Sequence, residues 1–95
     1  MKITELVWLD KIRDKIIQKH RVQPDEVHEA FFDPRRKYFF VESGHIEGED
    51  VYAIIGKADA GRLLAVYFIL KPGHKALIVS ARDATKKQRR RYERK

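Results

Sequence analysis

Two arginines frame the last apolar runs of the chain. Arg62 opens GRLLAVYFILK at 61–71, and Arg82 closes KALIVSAR at 75–82. A guanidinium offers paired N–H groups in one plane, which suits a phosphate, and negative charge building on it, better than an ammonium does. If the two runs pair antiparallel, their 62 and 82 ends fall at the same edge of a sheet and bring the two cations together. The competing expectation for either arginine is an ion pair with a local acid such as Asp59 or Asp83. Proton transfer needs a different residue type. His45 lies in SGHIEGED with Glu47, Glu49 and Asp50, where carboxylates favour its protonated form and hold its tautomer. His45 and Glu49 are therefore the candidate acid–base pair, and a plain hairpin connection is the alternative for that loop.

Cations also crowd the end of the chain. Residues 82–95 hold eight Lys or Arg against two acids, whereas residues 1–81 hold thirteen against twelve. Nearly all of the formal net charge of +7 is thus local, and a local patch attracts polyanions where a scatter does not. Nucleic acid or an acidic protein is the expected partner. A membrane surface is not, because no apolar helix face accompanies the charge. Lys86, Arg89 and Tyr92 are the candidate contacts in this segment, with Tyr92 able to stack on a base, hold a phosphate or anchor the helix by packing.

The elements that must position these groups follow from pattern. DKIRDKIIQKH reads as a helix, with Asp10 as its cap and Ile12, Ile16 and Ile17 at helical spacing. It stops near His20, which is placed to meet free carbonyls at the helix end. A second helix starts at Pro24, with Asp25 and Glu26 in its first turn, buries Val27, Ala30 and Phe31, and ends at Asp33-Pro34. TELVWL at 4–9 is either a short strand or an extended lead-in. KYFFVE at 37–42, DVYAIIGKA at 50–58, GRLLAVYFILK and KALIVSAR read as an antiparallel meander joined by SGHIEGED, DAG and PGH. Both alternate sets of LLAVYFIL are apolar, so this strand is covered on both faces. The helix pair covers one. The C-terminal helix, a partner chain or both must cover the other. That helix starts with a capping box, Thr85-Lys-Lys-Gln88, and Ala84, Gln88 and Tyr92 mark its docking side.

Composition bounds the class. Ninety-five residues suffice for one domain with one modest core, so 1–95 is read as a single α+β domain. The chain has no cysteine, which removes disulfides and thiolate metal sites and fits a reducing, cytoplasmic setting. The longest apolar run, residues 63–70, is far too short to cross a bilayer, and MKITELVWLD lacks the features of a secretory signal. His45 and Glu49 are four apart in a glycine-containing loop rather than on a helix, so no metal or other cofactor is expected.

Several stretches resemble one family in order. Lys19-His20, Phe32-Asp33-Pro34, EGEDVYAIIGKADAGRLLAVYFI and SARDATKKQRRRYE look like the BrnT toxins of bacterial type II toxin–antitoxin systems. The most specific are GR-LL-V and SAR-AT-x4-R-x-YE. The chain departs from the pattern at Trp8, followed here by Leu9-Asp10-Lys11, and at Gln88, where many members carry Glu. The resemblance implies a RelE-like fold, with two N-terminal helices, a meander sheet of three to five strands and a basic C-terminal helix. It further implies a metal-independent ribonuclease that cleaves mRNA, free or ribosome-bound, and arrests translation. A cognate antitoxin, usually a ribbon-helix-helix DNA-binding protein, is implied as its partner. Through the Lys19-His20 pair, His20 joins the implied RNA contacts. Cleavage of RNA without metal needs a group to take the 2′-OH proton, a cation on the phosphorane and an acid for the leaving oxygen. The alternatives are a non-catalytic nucleic-acid-binding module and a module whose basic helix docks an acidic protein.

Overall fold

The computed structural model describes residues 2–44 and 46–94. Its order is β1 (Glu5–Val7), α1 (Asp10–His20), α2 (Pro24–Phe31), β2 (Lys37–Glu42), β3 (Val51–Lys57), β4 (Leu63–Lys71), β5 (Lys75–Asp83) and α3 (Lys86–Glu93). β2 to β5 form the expected antiparallel meander. The sheet is nevertheless mixed, in the order β1-β5-β4-β3-β2, because β1 lies parallel to β5 with Leu6 opposite Ala76. This corrects the purely antiparallel expectation. The α1–α2 pair is the long connection that carries the chain from one edge strand, β1, to the other, β2.

Successive strand residues face opposite ways, and β4 shows what each face meets. Leu64, Val66 and Phe68 join the buried cluster under α1 and α2 with Ile54, Ile78, Val27 and Phe31. Phe31 meets Phe68 edge-on, ring centroids 5.0 Å apart, an arrangement that satisfies the ring quadrupoles. α2 approaches β3 so closely that a Cβ on Gly56 would sit 1.9 Å from the Ala30 carbonyl oxygen. Only glycine fits there.

The opposite face carries a smaller cluster, Ile55, Leu63 and Tyr92, with Phe39 and Ala84 packed against it. α3 is therefore the second cover that β4 required. Its start is the expected reciprocal cap. The Gln88 N–H donates to Thr85 Oγ1 at 3.1 Å, and the Thr85 N–H donates to Gln88 Oε1 at 2.9 Å. Asp10, by contrast, is the first residue of α1 instead of its cap. Leu9 takes the cap position and supplies no side-chain bond. The α3 cover stops short of the β2 edge, where Val41 remains 43% exposed, while Phe40, 58% exposed, packs edge-on to Tyr52 on the α1–α2 face.

Candidate nucleic-acid interface

The start of β4, the end of β5 and the C-terminus of α1 meet at one end of the sheet. Register sets Leu64 opposite Asp83 and Ala65 opposite Arg82, so the expectation that positions 62 and 82 share an edge holds. Their side chains, however, do not converge. Neighbouring residues on a strand point to opposite faces, and Arg62 follows Asp83 to the helix-covered side. Its Nε donates to Asp83 Oδ1 at 2.6 Å, its Nη1 to the Arg21 carbonyl at 2.7 Å and to Glu26 Oε1 at 3.3 Å, and its Nη2 to the His20 carbonyl at 3.1 Å. Arg62 thus closes the end of α1, where Arg21 adopts a left-handed conformation with φ 54°, and satisfies carbonyls that a helix end leaves orphaned. The bond from Arg62 holds the Asp83 carboxyl below the usual carboxylate range against the opposing effect of burial.

Arg82 projects to the α3 side. Its guanidinium carbon lies 5.0 Å from the centroid of the Tyr67 ring, and no carboxylate is within ion-pair distance of it among the described residues. A guanidinium over an aromatic face keeps its N–H edges open for an anion. The Tyr67 hydroxyl accepts a bond from Gln88 Nε2 at 3.1 Å. Gln88 therefore has two tasks, capping α3 and fixing the ring beneath Arg82. The charge of Arg82 also reaches His20 at the end of α1. Partial burial first, and then the charges of Arg82, Lys19 and Lys15, push its imidazole below the ordinary value, with Asp83 opposing. The lowered pKa favours the neutral ring, the form that can accept a proton.

The remaining expected residues divide clearly. Lys86 and Arg89 are exposed on α3 beyond Arg82. Tyr92 is buried at 5% exposure, and its hydroxyl donates to Asp33 Oδ2 at 2.5 Å, so it anchors the helix. Burial, then that bond to a carboxylate, pushes its pKa up to about 12. Glu49 is bound to Lys71 Nζ at 2.8 Å, at the far end of β4 from Arg62 and Arg82. His45 lies outside the described residues.

Asp33 is the site residue that sequence reasoning missed. Besides Tyr92, it accepts the backbone N–H of Arg35 at 3.0 Å and of Lys57 at 2.8 Å. Burial alone would raise its pKa, but the bonds from Tyr92, Arg35 and Lys57 outweigh it and hold the carboxyl below its usual range. One carboxylate therefore joins the turn after α2, the end of β3 and the last turn of α3. The Asp-Pro pair was a visible helix stop, whereas its distant partners left no local signal. Beside Tyr67 a shallow cleft of about 260 Å³ runs between β2 and α3, floored by Phe39, Ala53 and Ile55 and walled by Lys87 and Arg91. The Arg91 guanidinium carbon is 4.1 Å from the Phe39 ring centroid. Among the described residues no three His, Cys, Asp or Glu gather as metal ligands.

Fold and surface together define a small α+β domain with a cationic helix laid across one face of its sheet. The family model described as "Ribonuclease toxin, BrnT, of type II toxin-antitoxin system" matches residues 8–88, and the chain belongs to that family. No curated protein matches the chain significantly. Among solved structures, the chain is similar to the Brucella abortus ribonuclease toxin BrnT at 21% identity and a TM-score of 0.64, covering 87% of this chain and 99% of that one. At that identity the likeness concerns the fold. No described helix is long and apolar enough to cross a membrane.

Proposed function

We propose that this chain is a metal-independent endoribonuclease that cleaves mRNA in the cytoplasm and so arrests translation. The observation that carries the reading is Arg82, a guanidinium over the Tyr67 ring with no carboxylate paired to it among the described residues. Arg82 holds the scissile phosphate and stabilises the charge that builds on it. His20 takes the 2′-OH proton as the 2′ oxygen bonds to phosphorus, and the bond to the 5′ oxygen breaks as that oxygen gains a proton from solvent. The products are a 2′,3′-cyclic phosphate and a free 5′ hydroxyl. Lys86 and Arg89 extend the contact with the RNA backbone. Arg62 acts through position, holding the end of α1 and with it His20. In this reading Glu49, bound to Lys71 at the far end of β4, lies outside the reacting group.

A RelE-like relationship and neutralisation by a cognate ribbon-helix-helix antitoxin belong to the same proposal. The antitoxin would cover the α3 face, where a basic helix borders exposed apolar side chains. The test is expression without a partner. Wild type should arrest growth and deplete intact message, Arg82→Ala should do neither, and co-expression of a neighbouring antitoxin gene should restore growth. Equal toxicity of wild type and Arg82→Ala would reject the assignment.

A binding module without chemistry gains from one observation: Arg62 is engaged by Asp83, Glu26 and two carbonyls, which leaves one open guanidinium instead of two. That reading expects Arg82→Ala to weaken RNA binding in proportion to charge, with no cleaved product from either protein.

A further inference from the structure

We propose that the turn after α2 and the C-terminal end of α3 form a second phosphate-binding site, which grips the backbone of single-stranded RNA away from Arg82. The inference rests on the RNA reading above and extends it. The sequence there is Asp33-Pro34-Arg35-Arg36-Lys37, a turn signature followed by three cations. The Arg36 N–H closes the turn on the Asp33 carbonyl at 3.0 Å. The Asp33 carboxylate then ties that turn to β3 and, through Tyr92, to α3. A further bond, from Lys37 Nζ to the Arg94 carbonyl at 2.9 Å, fastens β2 to the helix end. Between them lies a cleft of about 270 Å³ lined by Pro34, Arg35, Arg36, Lys37, Tyr92 and Arg94.

Two of the cations in this cleft, Arg36 and Lys37, are fixed in place by hydrogen bonds to neutral groups. Arg36 is fixed by bonds from Nε to the Tyr38 hydroxyl at 2.7 Å and from Nη1 to the Asp33 carbonyl at 3.1 Å, while Nη2 takes part in neither. Among the described residues no carboxylate lies within ion-pair distance of Arg35, Arg36, Lys37 or Arg94. Asp33, at the start of this turn, has its oxygens occupied by two backbone N–H groups and a hydroxyl. Preorganised, unpaired guanidiniums match phosphate geometry.

The occupant is nucleic acid in preference to acidic protein. Protein interfaces place apolar anchors at their centre and deplete charge there, and this cleft does the reverse. Its one aromatic, Tyr92, is already buried between α3 and the sheet. The eight residues of α3 span ~12 Å at 1.5 Å per residue, so the two sites cannot share one phosphate. Lys87 and Arg91 line the stretch between them, and the whole forms a track for a strand of several nucleotides.

Uncleavable 2′-O-methyl RNA in two lengths, a trinucleotide and a long oligonucleotide, tests this by fluorescence anisotropy across a salt series. Arg35→Gln/Arg94→Gln should bind the long oligonucleotide more weakly and flatten the slope of log affinity against log salt by about 1.4, from roughly 0.7 for each phosphate of a single strand that is no longer neutralised. Trinucleotide binding should not change. Lys11→Gln/Lys75→Gln removes the same charge elsewhere and should leave both ligands unaffected. Both arginines are exposed, and Arg94→Gln alone, at the helix end, should flatten the slope by about 0.7 should the double variant fold poorly. An unchanged slope, or an equal fall in the Lys11/Lys75 variant, overturns the proposal. So does loss of polyglutamate binding with RNA binding intact, which would make the cleft a protein-docking site. If Arg82→Ala still cleaves while the Arg35/Arg94 variant loses slope, the catalytic assignment fails and this site stands. If Arg82→Ala is inactive and the slope is unchanged, the reverse holds. A wild type that binds neither ligand sinks both.

Discussion

Tyr92→Phe removes one oxygen atom and isolates the bond that fastens α3 to the rest of the domain. In the wild type the hydroxyl donates to the Asp33 carboxylate from a site 5% exposed. A hydrogen bond to a charged group contributes roughly 1.5–3 kcal/mol, and the variant should lose about that much at neutral pH. Alkaline pH reads the burial of that hydroxyl and its bond to Asp33 together. The Tyr92 pKa is raised from 10.0 to about 12. A raised folded-state pKa contributes stability in full below the unfolded value and loses it as pH climbs through the folded one. Two units correspond to roughly 2–3 kcal/mol lost between pH 10 and 12, at about 1.4 kcal/mol per unit. Lysines titrate in the same range in both proteins and cancel in the difference. The Asp33 carboxyl is depressed by the same bond, so the variant should also give up part of the stability that wild type holds above the usual carboxylate range and loses as pH falls through the depressed value. Urea unfolding of both proteins over a pH series gives these differences directly. If the gap between wild type and Tyr92→Phe is the same at pH 9 and pH 12, the hydroxyl does not make this bond and the anchoring of α3 is wrong.

Arg62→Ala should destabilise the domain by about 2–3 kcal/mol, since two helix-end carbonyls lose a charged donor and the partly exposed ion pairs add little. For a domain of this size that lowers the melting temperature by roughly 10–20 °C, readable by circular dichroism. Arg82→Ala, stacked on one exposed face, should melt within about 0.5 kcal/mol of wild type. The rate of RNA cleavage should rise with pH to a plateau, with the midpoint of the acid limb below that of a free imidazole, because the base His20 is held below its ordinary pKa. Lys19→Gln removes one of the charges responsible and should move the acid limb to higher pH, measured as initial rate against pH.

The strands were legible because their residues alternate and their ends carry turn chemistry. β2 and the C-terminal ends of β4 and α1 fall where the pattern set them, and the Thr85–Gln88 cap is bonded as its spacing requires. β1 was not legible as a parallel strand. Three residues carry no period, and their partner β5 comes at the end of the meander, with Glu5 opposite Lys75. The two-arginine pairing failed for a narrower reason. Hairpin topology determines which end of a sheet a residue occupies, while the face depends on register parity. Leu64 opposite Asp83 puts that acid, and Arg62 with it, behind the sheet from Arg82. Glu49 was chosen as part of an acid–base pair and is bound to Lys71, whose position depends on where β4 ends. Asp33 was hidden because its partners at 35, 57 and 92 come from three segments.

The central claim is that an open guanidinium at Arg82 holds the phosphate that is cleaved. Its most direct measurement is single-turnover cleavage of an RNA oligonucleotide in the presence of a chelator, by wild type and Arg82→Ala at matched occupancy, with the product ends identified by mass spectrometry. Wild type should yield a 2′,3′-cyclic phosphate and a 5′ hydroxyl, and the variant should bind the RNA yet cleave it at least a hundredfold more slowly, about 2.7 kcal/mol of lost transition-state stabilisation. Cleavage by the variant at the wild-type rate, or products that end in a 3′ hydroxyl, would contradict it.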